Sequence, residues 1–267
     1  MPDCQELLLD PAHRGTLRPG TWFEVPGLPG RYPLSVYLPA GYDQHPETSY
    51  AIAVLFDGQN LFHDEGSYLG GWRLHQLLDW RNCQGDMVPV VLAIHTEGSR
   101  EIALSPWSTE SVPDARGQIM ADWIVEALLP LARSEFRLKP GRENTLIGGS
   151  SLGALLSIYA FLRHPGVFGR VLAMSPTLGI ERGEHGRIYD LMEQSPFPEG
   201  SRFYLDAGGM ECPCGHVLRH ADEFVDIFRA RGLQDGVDYL FRPDPQGKHE
   251  EEAWRFRLPG AMQYLLA

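Results

Sequence analysis

The stretch TLIGGSSLGALLSIYAFLRHP, Thr145–Pro165, joins a short apolar run to a long one through a turn that contains two serines. The run Thr145–Ile147 predicts a buried strand, and Leu152–Leu162, which is apolar nearly all round, predicts a buried helix. The turn between them has the spacing G-x-S-x-G around Ser151. So sharp a strand-to-helix turn needs glycines on both sides of the serine, because side chains there would collide. Only Ser151 meets this condition, so it is predicted to be a nucleophile; the alternative is a turn without chemistry.

Short runs rich in Val, Ile and Leu alternate with helical patterns along the rest of the chain. This alternation is typical of an α/β fold, in which helices pack on both faces of a mostly parallel sheet. No repeat and no Gly/Ser linker divides the sequence, so residues 1–267 are predicted to form one domain. The predicted strands are Tyr32–Pro39, Ala51–Asp57, Val88–His95, Asn144–Gly149, Arg170–Pro176, Arg202–Ala207 and Val237–Pro243.

Two stripes of apolar residues predict further helices. One has the spacing i, i+3, i+4, i+7 and consists of Ala221, Phe224, Val225 and Phe228. The other runs from Met120 to Leu131 and contains Pro130, which we expect to bend or end the helix. Residues 97–117 lack periodicity and predict a long loop over one face, while Gly179–Gly200 is a candidate cap.

Composition excludes several classes of partner. Apolar residues make up 43% of the 267 residues, enough for a large core, and the net charge is −12. An acidic chain is unsuited to nucleic acid or to an anionic membrane surface. The sequence shows no signal peptide and no run long enough to span a membrane, so a cytoplasmic protein is expected. The four cysteines do not predict a disulfide framework, because they are few and two of them lie close together.

A serine nucleophile near neutral pH needs a base and an acid that orients the base. His249 lies after the last predicted strand and before the last helix, which is the position expected of the base. For the acid, Glu211 follows a predicted strand and the turn Gly208-Gly209, whereas Asp206 lies inside that strand. Glu211 is preferred, and Asp206 remains the alternative, with Asp222 less favoured.

Backbone N–H groups are the expected ligands of the oxyanion that forms during acyl transfer. The N–H groups of Ser151 and Leu152 lie at the start of the predicted helix, where the helix dipole favours negative charge. A second donor should come from the turn after an early strand, at Gly58 or Gln59. The candidates for walls of the pocket are Trp72, Trp107 and Trp254, although aromatic residues are more often simply core.

Several segments together resemble the putative esterase family of α/β-hydrolases, which includes enterochelin-esterase-like enzymes. The resemblance covers the chain from about Tyr32 to the C-terminus. Its most specific parts are the long segment around Ser151 and the final pair His249 and Trp254, and the motif DGQN is most similar to the enterochelin-esterase-like branch. The other matching segments are SVYLPAGYD, VLFDGQNLF, YLDAGGMEC and GKHEEEAWRFRLPGAMQYL.

The resemblance implies an α/β-hydrolase fold, a serine hydrolase of carboxylic esters, a small-molecule ester as partner and no cofactor. It assigns the nucleophile to Ser151, the base to His249, the acid to Glu211 and the oxyanion site to Leu152 and Gly58-Gln59. Arg100 matches an arginine that lies near the substrate in siderophore-cleaving relatives. Two departures stand out. Ala154 replaces a common glycine, and the apolar stretch EIALSPW replaces an acidic-aromatic one, which argues against a catecholate substrate.

Other functions are compatible with parts of the sequence. An acyltransferase or a thioesterase would use the same three residues, and an inert hydrolase scaffold could act as a binding protein. A metal site is the remaining alternative, but its C-x-C-x-H-x3-H spacing is unusual for zinc and no metal is predicted. That cluster consists of Cys212, Cys214, His216 and His220. The sequence does not indicate an oligomeric state.

Overall fold

A computed structural model describes residues 4–179, 187–212 and 216–267 of the chain. Within these ranges, nine strands join in one sheet. The strands are β1 Thr16–Arg18, β2 Trp22–Phe23, β3 Tyr32–Leu38, β4 Ile52–Phe56, β5 Val90–Ile94, β6 Thr145–Ser150, β7 Arg170–Met174, β8 Arg202–Gly208 and β9 Tyr239–Asp244.

The strand order is β1-β3-β5-β4-β6-β7-β8-β9, with β2 paired to β3. From β5 to β9 every pair is parallel, whereas β1, β2 and β3 pair antiparallel at one edge. The carboxyl ends of β4, β6, β7, β8 and β9 therefore meet along one side of the sheet. In open α/β sheets this side carries the ligand site.

The described helices pack on both faces of this sheet. They are α1 Cys4–Leu7, α2 Leu74–Cys83, α3 Arg100–Leu104, α4 Gly117–Trp123, α5 Leu129–Glu135, α6 Leu152–Arg163, α7 Arg187–Gln194, α8 His216–Ala230 and α9 Glu251–Leu266. A π-helical segment, Ile124–Leu128, links α4 to α5 just before Pro130. Helical structure continues past the proline to Glu135, so Pro130 does not end it.

Alternation along the central strands divides the core into two layers. In β4, Ile52, Val54 and Phe56 face one layer, and Ala53 and Leu55 face the other. The first layer is covered by α3 to α8, and the second by α2 and α9. Because both faces are covered, the central strands are apolar along their whole length, as the sequence predicted.

The seven predicted strands are all present, with ends displaced by at most two residues. The prediction of a loop across residues 97–117 was partly wrong, because the helix α3 lies inside that segment. Its five residues are too few to show a periodic pattern in sequence. Of the proposed cap, Arg187–Gln194 forms α7, and residues 180–186 lie outside the described part of the chain.

Cys4 and Cys83 form a disulfide that ties α1 to the end of α2. Their Cα atoms lie 5.9 Å apart across a sequence separation of 79 residues. The sequence analysis, which found no disulfide framework, did not predict this single pair. Residues so distant in sequence show no spacing pattern, so only the packing of α1 on α2 reveals the pair.

Candidate active site

Ser151 occupies the turn between β6 and α6, with backbone angles φ 56° and ψ −120°. The glycines around it are required by close packing. A Cβ on Gly149 would lie 3.0 Å from the carbonyl carbon of Gly153, and a Cβ on Gly153 would lie 3.0 Å from Cβ of Phe56. The strained angles of Ser151 hold its hydroxyl above the carboxyl ends of the strands.

Three of the predicted residues form one line of hydrogen bonds. The Ser151 hydroxyl lies 2.9 Å from Nε2 of His249, and Nδ1 of His249 lies 2.8 Å from Oε2 of Glu211. The carboxylate can only accept at Nδ1, so that nitrogen carries the proton and Nε2 is left to accept from the serine. His249 is 34% exposed and Glu211 is fully buried, so the acid is shielded while the base reaches solvent.

Two glycines bring Glu211 to His249. A Cβ on Gly208 would lie 2.2 Å from the carbonyl oxygen of Gly247, and a Cβ on Gly209 would lie 2.5 Å from that of Pro245. The turn after β8 therefore packs directly on the loop after β9. This contact joins the acid of one loop to the base of the other.

Glu211 and Asp206 occupy different places beneath the site. Oε1 of Glu211 accepts from the Gly208 N–H at 2.6 Å and from the Ser175 hydroxyl. Asp206, inside β8, accepts from the Ser175 N–H at 2.9 Å and from the Tyr204 hydroxyl at 3.1 Å. No contact joins Asp206 to His249 in the described structure. Complete burial raises the pKa of Asp206 to about 6, and the charge of nearby Arg257 opposes this rise.

Ser175 and Arg257 were not foreseen from the sequence. Ser175 has φ 45°, and its hydroxyl contacts Glu211, Nε1 of Trp254 at 2.9 Å and a guanidinium nitrogen of Arg257 at 2.9 Å. Nε of Arg257 lies 3.1 Å from Asp206, and the same arginine lies 3.6 Å from Glu211. Trp254 and Arg257 lie three residues apart on α9, a spacing that puts them on one face of the helix and is the only sequence signal for this cluster.

The predicted oxyanion donors lie at two turns. Leu152 is the first residue of α6, where N–H groups have no partner within the helix. Gly58 and Gln59 begin a 3₁₀ turn after β4, directly after Asp57 at φ 55°. The prediction that the Ser151 N–H is also free was wrong, because it donates to the carbonyl of Met174 at 2.9 Å.

Arg100 and Thr96 hold the turn after β4 in place. Nε and a terminal nitrogen of Arg100 donate to the two carboxylate oxygens of Asp57 at 2.9 and 2.7 Å, and the Thr96 hydroxyl donates to Oδ1 at 2.5 Å. A Cβ on Gly58 would lie 2.5 Å from Cδ2 of His95, so the turn packs tightly against the strand beside it. These contacts fix the direction of the Gly58 and Gln59 N–H groups.

A cleft of about 600 Å³ opens at the nucleophile. The residues that line it include Gln59, Tyr68, Arg100, Ser151, His249 and Trp254. The prediction of Trp72 and Trp107 as pocket walls was wrong. Trp72 is buried in the core against Trp254, and Trp107 packs on Tyr159 in the other layer and lines a separate depression.

The structure describes only part of the Cys/His cluster that was considered as an alternative metal site. Cys214 lies outside the described residues, and the rings of His216 and His220 lie 5.9 Å apart. Among the described residues, no three His, Cys, Asp or Glu side chains are grouped as metal ligands. Within the same residues, every helix is too short or too polar to cross a bilayer.

Comparison with known families assigns the chain to one of them. A family model described as "Putative esterase" matches residues 26–265, which is most of the chain. The chain belongs to the putative esterase family. It is therefore an esterase with an α/β-hydrolase fold, as its resemblance to the family implied. No protein among curated proteins matches the chain.

Solved structures similar to this esterase include enzymes of related kinds. A ferulic acid esterase has a TM-score of 0.71 and 16% identity, with 95% of this chain and 98% of that chain covered. An IroE-like serine hydrolase from Shewanella oneidensis has a TM-score of 0.74 and 16% identity, covering 94% and 80%. The enterobactin esterase FES from Shigella flexneri, with 20% identity and a TM-score of 0.72, is covered over 58% of its length by 94% of this chain.

Proposed function

We propose that this esterase cleaves a carboxylic ester in two steps through an acyl group carried on Ser151. The observation that carries the proposal is the line of hydrogen bonds from the Ser151 hydroxyl through His249 to Glu211. An unassisted serine hydroxyl is a poor nucleophile at neutral pH, and this line supplies both a base and the acid that orients it.

In the first step, Nε2 of His249 takes the Ser151 proton while Oγ bonds to the ester carbonyl carbon. The resulting oxyanion accepts hydrogen bonds from the N–H groups of Leu152 and of Gly58 or Gln59. Each such donor lowers the barrier by roughly 3 kcal/mol. His249 then gives its proton to the leaving alcohol, the bond between carbon and the alcohol oxygen breaks, and the acyl group stays on Ser151.

In the second step, water replaces the alcohol. His249 takes a proton from the water, whose oxygen bonds to the acyl carbon, and returns that proton to Oγ of Ser151 as the acid product leaves. Glu211 keeps Nδ1 of His249 protonated and stabilises the charged imidazole without taking its proton. The chemistry needs no cofactor, and Arg100, which lines the cleft, is proposed to contact the substrate.

The test is hydrolysis of p-nitrophenyl acetate, butyrate and octanoate by the wild type, Ser151→Ala and His249→Ala. We expect both variants to lose at least 10³-fold in kcat/KM, because nucleophile and base act as a unit. A matched control is Ser150→Ala, which removes the neighbouring buried hydroxyl. Turnover that survives Ser151→Ala would refute the proposal. A fluorophosphonate should label the wild type at Ser151 and should leave Ser151→Ala unlabelled.

A further inference from the structure

The cleft at Ser151 holds more acidic than basic side chains. Among the described residues that line it, the cationic side chain is that of Arg100, apart from His249, which is engaged with Ser151 and Glu211. The acidic residues that line it are Asp57, Glu97, Glu101 and Glu251. A small cleft with this balance carries a negative potential, and the net charge of −12 on the whole chain adds to it.

Arg100 cannot offset this excess, because Asp57 already takes up its charge. Two guanidinium nitrogens donate to both carboxylate oxygens, at 2.9 and 2.7 Å. The Asp57 side chain is 4% exposed, so the pair is shielded from water on the acid's side. A fork-to-fork pair of this kind holds the guanidinium firmly. The other three acidic residues of the cleft form no ion pair in the described part of the chain, although the charges of Arg100 and His249 act on Glu251 at longer range.

Glu251 is the most telling of the three. It is only 3% exposed, and one oxygen accepts from the Asn60 side-chain amide at 2.9 Å. The other oxygen, which is shielded from water, has no hydrogen-bond partner among the described residues. Burial is the main cause that raises the pKa of Glu251, and the Asp57 charge adds to it, whereas a hydrogen bond from its own backbone N–H and the charges of His249 and Arg100 oppose the rise. A buried carboxyl oxygen that accepts no hydrogen bond is costly, and a positive charge in the cleft would compensate it.

The negative charge of the cleft continues at its mouth, where Glu97 and Glu101 lie together with Tyr68. Glu97 lies in the loop after β5 and Glu101 lies in the first turn of α3, and both are exposed. Neither forms an ion pair within the described ranges. Tyr68 is 81% exposed, so its ring face is available to a cation.

We propose that this cleft selects esters that carry a positively charged ammonium group close to the ester bond. The inference rests on the proposed esterase function of Ser151 and adds the class of substrate. It also implies that anionic esters are poor substrates. The juxtaposition that carries it is a buried Glu251 with one oxygen unpartnered, in the same cleft as Ser151, where the one guanidinium among the described lining residues is paired with Asp57.

Isosteric esters provide the sharpest test. Acetylcholine and 3,3-dimethylbutyl acetate have the same shape and differ by one positive charge on the alcohol side. The p-nitrophenyl esters of 4-(trimethylammonio)butanoate and 5,5-dimethylhexanoate place the same difference on the acyl side. We expect the charged member of at least one pair to have a kcat/KM at least tenfold higher. Ratios near or below one for both pairs would overturn the proposal.

Substitution of glutamine for glutamate shows which residues cause the preference for charged esters. Glu251→Gln keeps an oxygen that can accept from Asn60, and we expect it to lower the ratio of charged to neutral kcat/KM at least threefold. The double variant Glu97→Gln/Glu101→Gln should lower the same ratio. The control is Glu252→Gln, an equal change of net charge on an exposed residue outside the cleft, paired with Arg255. If Glu252→Gln lowers the ratio as much as Glu251→Gln does, the acidic residues of the cleft do not cause the preference for charged esters.

A binding measurement tests the preference for a charged ester independently of the proposed catalytic mechanism. Acetylcholine and 3,3-dimethylbutyl acetate can be titrated by NMR into Ser151→Ala, which has no nucleophile. We expect at least fivefold tighter binding of the charged ester, and equal binding would refute the selectivity. If the charged ester binds more tightly but the wild type hydrolyses none of the four esters, the proposed function fails while the cleft's preference stands.

Discussion

Glu211 and Asp206 are both fully buried carboxyl groups, and both contact Ser175. Their positions on the chain separate their roles. Glu211 lies in the turn past β8, where one of its oxygens faces His249. Asp206 lies within β8, so its side chain is directed to Tyr204 and Arg257 in the interior.

The first prediction compares the two acids. Glu211→Gln should lower kcat/KM by roughly 10⁴, because an amide no longer enforces the proton on Nδ1 of His249. Asp206→Asn should lower it by about tenfold or less, since Asp206 acts only through Ser175 and Arg257. Steady-state kinetics at neutral pH would measure both. A larger loss in folded Asp206→Asn than in Glu211→Gln would show that the acid is misassigned.

The second prediction concerns pH and stability. Because burial raises the pKa of Asp206 from 3.8 to about 6, its proton is held more tightly in the folded chain than in the unfolded one. Its contribution to stability is therefore complete below pH 4 and is lost as the pH rises through 6, by on the order of 3 kcal/mol. Asp206→Asn does not titrate. The free energy of unfolding of this variant in urea, relative to that of the wild type, should therefore increase between pH 4.5 and pH 7.5. Parallel pH profiles for the two proteins would contradict a raised pKa of Asp206.

At the scale of elements, glycines decide how closely the loops at the carboxyl ends of the strands approach one another. Gly58 lies against His95 and the Ala93 carbonyl, Gly208 against Gly247, and Gly153 against Phe56. Each contact joins a loop that carries one part of the site to a neighbouring element. A methyl group at such a position would move the loop and the functional group it carries.

The third prediction tests this at Gly58. Gly58→Ala would place a Cβ 2.7 Å from the Ala93 carbonyl oxygen, so the turn must shift and take its N–H donors with it. We expect kcat to fall by about 10² while KM changes little, because the donors act on the oxyanion. Gly166→Ala is the matched control, since nothing lies within 4 Å of its added Cβ. Equal kinetics for both variants would exclude this turn from the oxyanion site.

How far the sequence could predict these elements depended on their length and burial. The seven strands that it predicted are apolar and mostly buried, whereas β1 and β2 have three and two residues and are largely exposed. The candidates Ser151, His249 and Glu211 could be selected from motif and order, and the structure brings the three together. Ser175 and Arg257 could not be selected in this way, because their roles depend on contacts between β7, β8 and α9. Of the three tryptophans considered as pocket walls, Trp254 lines the cleft and Trp72 and Trp107 do not, because the sequence does not distinguish an aromatic side chain of the core from one of a pocket.

At the scale of the whole molecule, the disulfide fastens the first helix to the body of the protein. Cys4 is buried, and Cys83 ends α2, which covers the layer of the core shared with α9. Neither cysteine lines the cleft. Removal of the disulfide should therefore lower the stability of the fold and leave catalysis intact.

The fourth prediction follows from the position of the disulfide outside the cleft. Cys83→Ser should lower the free energy of unfolding by about 2–4 kcal/mol, because the unfolded chain loses a long closed loop. The kcat/KM for p-nitrophenyl butyrate should stay within a factor of two. Chemical denaturation with and without a reducing agent would show it, and the reducing agent should have no further effect on the variant. Unchanged unfolding of the reduced wild type would mean that the bridge contributes nothing.

Four residues other than glycine have positive φ in the described structure, and three of them, Asp57, Ser151 and Ser175, belong to the site. Each costs on the order of 1–3 kcal/mol that a glycine would relieve. Laboratory evolution for heat resistance alone would thus tend to replace these side chains first, and the most stable variants would be inactive. Selection for thermostable variants of this enzyme should therefore measure turnover in the same round, because selection for stability alone favours the loss of side chains from the candidate site.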